Sequence, residues 1–199
     1  MKVKIKKEGK VKEFKLINSW EDVTLETWLK LIDFETGTKT EEATETIAAL
    51  SDIPKQLIKE LSLSDVAVIM SKVGELQQEQ DTKLKRIIEI NDVEYGFHPD
   101  LDSISLGEYA DIEQFIKNGI DSSLPELMAV LYRPIKLKKN DIYIIDSYDG
   151  DIRLRAEEMK LMSAEQVQSA LVFFYTLGKV LSEITLSFSM ERLKETKTQ

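Results

Sequence analysis

The sequence predicts an α+β, helix-rich fold with short β-hairpins in two related halves and a long buried C-terminal helix. Two segments alternate apolar and polar residues on either side of a turn. Several longer segments repeat apolar residues at steps of three and four behind a capping residue. The order of these patterns recurs along the chain, and 199 residues with 42% apolar content are enough to bury a core.

Composition excludes several classes of protein. The absence of cysteine rules out a disulfide framework and fits a reducing compartment. A net charge of −9 argues against nonspecific binding to nucleic acid, which needs clustered Lys and Arg. The opening MKVKIKKEGK has no continuous apolar segment, so we do not expect it to act as a signal peptide, and we expect no membrane span because no apolar run is long enough.

The first predicted element is a lysine-rich β-hairpin, in which Val3, Ile5 and Phe14 alternate with polar residues around a turn at Gly9. Its lysines are Lys2, Lys4, Lys6, Lys7, Lys10, Lys12 and Lys15. They can form a docking strip for an acidic partner, with Lys4 and Lys6 as candidate interaction residues. The alternative is a solvated face whose lysines discourage edge pairing.

Three helices are predicted in the rest of the first half, residues 1–80. Thr24 caps the first helix, and the second runs from Glu41 to Leu50 and ends before Pro54. Ser62 caps the third, and the polar residues 77–81 link the two halves.

The second half, residues 84–199, repeats this order. A hairpin turns at Asn91-Asp92, and Ser105 with Glu108 has the spacing of a capping box. Residues 136–157 have no counterpart in the first half. We expect them to form an inserted hairpin, with a strand at 142–145 and a return strand at 152–154.

Constant shifts relate the two halves. A shift of 81 residues takes Thr24 to Ser105 and Trp28 to Tyr109, and a shift of 101 takes Ser62 to Ser163. The sequence therefore predicts an internal duplication, either as two halves or within one compact domain.

A long helix is predicted from Ser163 to Leu193, with Ser163 and Gln166 at capping-box spacing. Its apolar residues lie on several stripes, with Phe173 and Val180 on one side and Phe174 on another. Large exposed apolar patches are uncommon on monomers, so we expect this helix to contact a second copy or another protein.

No catalytic or metal-binding pattern emerges from the sequence. His98 is the only histidine, which excludes an imidazole pair, and it is interpreted as a turn residue. The acidic segment 146–151 lacks the ladder of acids of a calcium loop and is interpreted as a turn. The expected protein is not an enzyme and uses no cofactor.

Arg133 follows an apolar run and precedes Pro134. It can clamp a carboxylate of a partner. The alternative is an arginine that satisfies the last helix carbonyls or a buried acid such as Asp146.

Four stretches carry a resemblance: 41–54 with TIAALSDIP, 127–135 (LMAVLYRPI), 143–150, and 170–178 (ALVFFYTLG). Their order is similar to that in small, cysteine-free proteins encoded among the tail and head genes of tailed bacteriophages. Those proteins are described as tail assembly chaperones or minor structural proteins, and the likeness covers the last three quarters of the chain. It brings no catalytic motif.

The resemblance implies a non-enzymatic role in phage particle assembly, binding tail proteins as a tail assembly chaperone does. The expected partners are phage structural proteins of the tail or head-tail region, or further copies of the chain as a homo-oligomer. The expected location is the host cytoplasm during infection. Two alternatives stay open: a permanent virion component, such as a head-tail connector or tail protein, and a host-directed phage regulator.

Overall fold

The computed structural model describes residues 1–7, 10–34, 38–76 and 83–173. Over these ranges the chain forms eight α-helices and two small antiparallel sheets. The predicted α+β class is therefore confirmed.

The first sheet is the predicted N-terminal hairpin, formed by β1 (Lys2–Lys7) and β2 (Lys10–Lys15). Val3 and Ile5 are buried, and Lys4 on the opposite face of β1 is exposed. This alternation is what a hairpin with one face on the core requires. The predicted turn at Gly9 lies outside the described residues.

Four helices follow: α1 (Leu25–Phe34), α2 (Lys39–Leu50), α3 (Lys55–Ile58) and α4 (Leu63–Leu76). The cap of α2 is Thr38, whose Oγ1 accepts from the Glu41 N–H at 3.3 Å. This capping box starts α2 two residues earlier than the sequence predicted. The predicted linker 77–81 lies outside the described residues.

The second sheet has the strand order β3 (Ile87–Ile90), β4 (Val93–Phe97), β5 (Tyr132–Lys139), β6 (Ile142–Ile145), with every neighbouring pair antiparallel. Asn91 and Asp92 join the first two strands with φ of 52° and 63°. Both values lie in the left-handed region that a two-residue type I′ turn uses, and Asn and Asp tolerate it.

Two helices connect β4 to β5, α5 (Leu106–Asn118) and α6 (Leu124–Leu131). After β6 come α7 (Arg153–Met159) and a helix over 164–173, here called α8. Gln166 N–H donates to Ser163 Oγ at 3.2 Å, so the predicted cap of this last helix is present. Residues 174–193 of the predicted long helix lie outside the described residues.

The expected return strand at 152–154 is wrong, because α7 begins at Arg153. The partner of β6 is β5, with Leu137 opposite Ile144, so the hairpin spans 132–145 instead of 136–157. Ile152, Ala156 and Met159 are buried at helical spacing, which turns one face of α7 onto the core.

Two clusters of buried side chains form the core. The N-terminal core gathers first-half residues around Trp20, Ile47 and Leu50, and the C-terminal core gathers second-half residues around Phe97 and Tyr132. Each cluster also receives one fully buried residue from the other half: Leu25 lies in the C-terminal core and Ala164 in the N-terminal core.

Backbone hydrogen bonds between the starts of α1 and α8 hold Leu25 and Ala164 in these positions. We call this pair of hydrogen bonds the cap bridge. Leu25 N–H donates to the Met162 carbonyl and Ala164 N–H donates to the Val23 carbonyl, each at 2.7 Å. Leu25 and Ala164 are fully buried. The first N–H groups of a helix have no partner within it, so the bridge satisfies donors that burial would otherwise leave unpaired.

Two glycine substitutions compare a crowded position in the second sheet, Gly96 on β4, with an open position in a helix, Gly74 in α4. A Cβ at Gly96 would overlap the Tyr143 ring and Ile145, so we predict that Gly96→Ala destabilises the protein by about 1–3 kcal/mol. Gly74 lies in α4 with open space at its Cβ position, so Gly74→Ala is expected to stabilise by about 0.5–1 kcal/mol. Urea unfolding measures both changes, and effects of the same sign would contradict the packing described.

Candidate functional site

A buried ionic cluster lies between α5, the end of β4 and the start of β5. The Arg133 side chain is buried, with the residue 4% exposed, and its Nη2 lies 2.7 Å from Oε1 of Glu108. His98 Nε2 lies 3.5 Å from the same oxygen. We call Arg133, Glu108 and His98 the ionic cluster.

The position of Glu108 follows from helix capping. Its Oε2 accepts from the Ser105 backbone N–H at 2.8 Å and from the Ser105 hydroxyl at 2.5 Å. In return, Glu108 N–H donates to Ser105 Oγ at 3.3 Å. The sequence predicted this capping box, but it gave no sign that the other carboxylate oxygen would meet Arg133.

Burial and charge act against each other in the ionic cluster. Burial by itself would raise the pKa of Glu108, but the hydrogen bonds from Ser105 and the charge of Arg133 bring that pKa below its usual value. Burial lowers the pKa of His98, and nearby Glu108 offsets only part of that effect. The cluster therefore holds a carboxylate and a guanidinium ion next to a neutral imidazole at pH 7.

The Arg133 guanidinium also lies over the ring of Tyr148. The Arg133 Cζ lies 5.8 Å from the centroid of the Tyr148 ring, within the range of a cation–π contact. The Tyr148 hydroxyl donates to Asp111 on α5. Burial is the larger cause that raises the pKa of Tyr148 above its ordinary value, and the Asp111 carboxylate is the next.

A cavity of about 130 Å³ adjoins the cluster at His98. Its lining includes Arg86, Phe97, Asp100 and Phe173. The ring of Phe173 meets that of Phe97 edge-on, with centroids 5.5 Å apart. In the described residues the ionic groups of the cluster contact each other, which is the arrangement of a structural ion pair.

The predicted site residues fall in three different places. Lys4 is exposed on β1, opposite Glu13, and Lys6 lies in the same strand. Arg133 pairs with a buried acid, as its alternative interpretation expected, but that acid is Glu108, and Asp146 pairs with Lys136 at 3.0 Å. Phe173 is half-buried, and the other two predicted residues, Phe174 and Val180, lie outside the described residues.

His98 is not the simple turn residue that the sequence suggested. It follows β4 directly, is 8% exposed and contacts Glu108. A single histidine carries no local signal for such a partner, because the two residues are brought together only by the packing of α5 against the sheet.

An exposed apolar surface was also missed by sequence reasoning. Leu137, Ile142 and Ile144 are all exposed, and Leu137 lies opposite Ile144 across the β5–β6 pair. Ile142 and Ile144 are two residues apart, so the three side chains share one face of the hairpin. We call this surface the hairpin face. The spacing of the isoleucines was the available signal, but the sequence does not show which face is covered.

The described residues were also compared with the requirements of a metal site and of a membrane-spanning helix. No group of three or more His, Asp or Glu side chains in these ranges is arranged to hold a metal ion. None of the described helices is long and apolar enough to cross a membrane.

Comparison with protein-family models, with curated proteins and with solved structures finds no match to this chain.

Breaking the buried ion pair should cost much more than breaking an exposed one. Arg133→Met leaves Glu108 buried without its counter-ion, and we predict a loss of about 3–5 kcal/mol. Lys136→Met removes the exposed pair with Asp146 and should cost about 0–1 kcal/mol. Urea denaturation compares the two variants, and equal losses would mean that the cluster contributes no more than a surface pair.

The only histidine also gives a pH signature. Since folding lowers the pKa of His98, this side chain takes up its proton at a higher pH in the unfolded chain, near 6.5, than in the folded chain. We predict that the free energy of unfolding decreases as pH is lowered from about 7.5 to about 5.5, which is above the range where Glu108 titrates. His98→Gln should flatten this dependence. An identical slope in the variant would contradict the assignment to His98.

Proposed function

We propose that this chain is a non-enzymatic protein of phage particle assembly that binds tail proteins before or during their polymerisation, as a tail assembly chaperone does. The observation that carries the proposal is the hairpin face, where three large apolar side chains are exposed together. Ile142 is the most open of them, at 78%.

The surroundings of the hairpin face suit contact with another protein. Lys139 and Asp141 are exposed at its turn, so apolar side chains are bordered by charged ones. An apolar centre with a polar rim is the usual anatomy of a protein interface. In addition, β6 is the last strand of its sheet and has a free edge among the described residues, which a partner strand can extend.

Two further functions fit the same surface. A permanent virion component, such as a head-tail connector or tail protein, would use it inside the finished particle. A host-directed phage regulator would use it on a host protein. Analysis of purified mature particles separates the first from a chaperone, which acts in the host cytoplasm and is absent from them.

The proposal includes the internal duplication, which the bounds of the helices support. The shift of 81 takes the first residue of α1, Leu25, to the first residue of α5, Leu106. It also takes the last residue of α2, Leu50, to the last residue of α6, Leu131. The shift of 101 takes the start of α4, at 63, to the start of α8, at 164.

Long-range backbone contacts support the duplication independently of helix bounds. Ile17 N–H donates to the Leu50 carbonyl at 3.0 Å, and the equivalent His98 N–H donates to the Leu131 carbonyl at 2.7 Å. The isolated bridge between residues 16 and 51 likewise corresponds to the pair of residues 97 and 132 in the β4–β5 ladder. Equivalent residues therefore make equivalent contacts in both halves.

The long buried C-terminal helix is also part of the proposal. Ala164, Val167 and Ala170 are fully buried in the described part of α8, which supports a helix covered from its first turn. Continuation to Leu193 stays a prediction.

Replacing exposed isoleucines tests the proposal. Ile142→Thr with Ile144→Thr keeps β-branched side chains but removes apolar area, so co-purification with co-expressed tail proteins should fall. Val93→Thr, at an exposed β4 position, is the matched control and should leave binding unchanged. Wild-type protein that binds no tail protein at any concentration in light scattering would overturn the chaperone proposal and favour the host-directed alternative.

A further inference from the structure

We infer that this chain associates head to tail with copies of itself, through a contact between the start of α5 in one copy and the start of α4 in the next. The contact would repeat, between molecules, the cap bridge that joins α1 and α8 inside the chain. The inference rests on the duplication proposed above and goes beyond it by naming a second surface and its occupant.

The cap bridge is the template. It runs antiparallel, with Thr24 opposite Ser163, and buries the first helical residue on each side. Leu25 enters the C-terminal core and Ala164 enters the N-terminal core. Trp28, one turn into α1, touches both cores. The contact thus joins a first-half helix start to a second-half helix start.

Each helix start in the cap bridge has an equivalent in the other half of the chain, and that equivalent takes no part in the bridge. The shift of 81 takes 23–25 to 104–106, and the shift of 101 takes 61–63 to 162–164. The local structure is the same at these equivalents. Ser105 caps α5 by accepting from Glu108 N–H at 3.3 Å, and Ser62 caps α4 by accepting from Asp65 N–H at 3.1 Å.

The difference lies in burial. Leu106 is 84% exposed where its equivalent Leu25 is fully buried, and Leu63 is 89% exposed where its equivalent Ala164 is fully buried. Tyr109, the equivalent of Trp28, is also exposed. The two helix starts that correspond to the two sides of the cap bridge therefore both expose a leucine at their first helical residue.

A second copy is the occupant that fits both halves. Leu63 and Leu106 belong to different halves of the chain, so a contact between copies joins two different surfaces. Such a heterologous contact leaves one unused surface at each end of a row of copies. The row grows into a filament, or it closes into a ring if the rotation between copies allows it.

Single cysteines test the register of the contact, since the natural chain has none. Ser62 and Ser105 are the equivalents of the directly opposed Ser163 and Thr24, and both are exposed. Ser62→Cys and Ser105→Cys proteins are mixed and oxidised gently, and disulfide-linked dimers are counted by gel and mass spectrometry. Disulfides need Cα atoms within about 7 Å, so we expect the mixed 62–105 dimer to exceed either homodimer several-fold. Leu154→Cys, exposed near the start of α7, is the control partner for Ser105→Cys. Equal yields with the control would overturn the inference.

Aspartate substitutions test the head-to-tail arrangement. Leu63→Asp and Leu106→Asp each block one surface, so each variant alone should be monomeric in sedimentation velocity. Their equimolar mixture should give a one-to-one dimer that cannot extend, because each variant keeps the surface that the other has lost. Leu154→Asp should self-associate as the wild type does. A mixture that stays monomeric, or variants that associate like the wild type, would contradict the inference.

Failure of this inference can be distinguished from failure of the proposed function. Tail-protein binding is measured with the hairpin-face variant Ile142→Thr with Ile144→Thr, which should leave the 62–105 cross-link unchanged. A wild-type chain that is monomeric at every concentration but binds tail proteins would overturn self-association alone. A chain that cross-links as expected but binds no tail protein would overturn the chaperone proposal alone.

Discussion

The fold depends on how two buried helix starts satisfy their backbone. The free N–H groups at the start of a helix normally face water or a capping side chain, and a buried one without a partner is costly. In this chain the N–H groups of Leu25 and Ala164 are buried, and each donates to a carbonyl at the start of the other helix. This reciprocal contact ties residue 25 to one core and residue 164 to the other, so neither core is complete without both halves of the sequence.

The ionic cluster constrains the second half in a similar way. Glu108 caps α5 and also pairs with Arg133 on β5, so one side chain fixes a helix start against the sheet. Removing either charge would leave the other buried, and the pair therefore specifies how α5 sits on the sheet more than it adds net stability. Tyr148 lies against the guanidinium of this pair, and His98 lies beside its carboxylate. The arginine of the Leu-Tyr-Arg-Pro-Ile stretch, at the second position of β5, thus supplies the counter-ion that the buried Glu108 carboxylate requires.

The exposed apolar residues follow from what these contacts leave uncovered. The starts of α4 and α5 have the same caps as the starts of α8 and α1, but Leu63 and Leu106 point into solvent. The hairpin face lies where burial ends: β5 is buried at Tyr132 and Arg133 and exposed at residues 136–139, and β6 exposes Ile142 and Ile144 while Tyr143 between them is buried. Both surfaces consist of large apolar side chains, and association with other proteins is the physical role that such surfaces support best.

The sequence by itself determined the features whose hydrogen bonds close within a few residues. The Ser105 and Ser163 caps, the Asn91-Asp92 turn and the alternation of the first hairpin are local, so they were predicted with their bounds nearly right. Only the tertiary structure decided that Arg133 meets Glu108, that residues 153–159 form a helix, and that β5 is the partner of β6. Short apolar segments such as 152–154 fit a strand or a helix equally well, and the choice between them depends on which buried surface the rest of the chain presents.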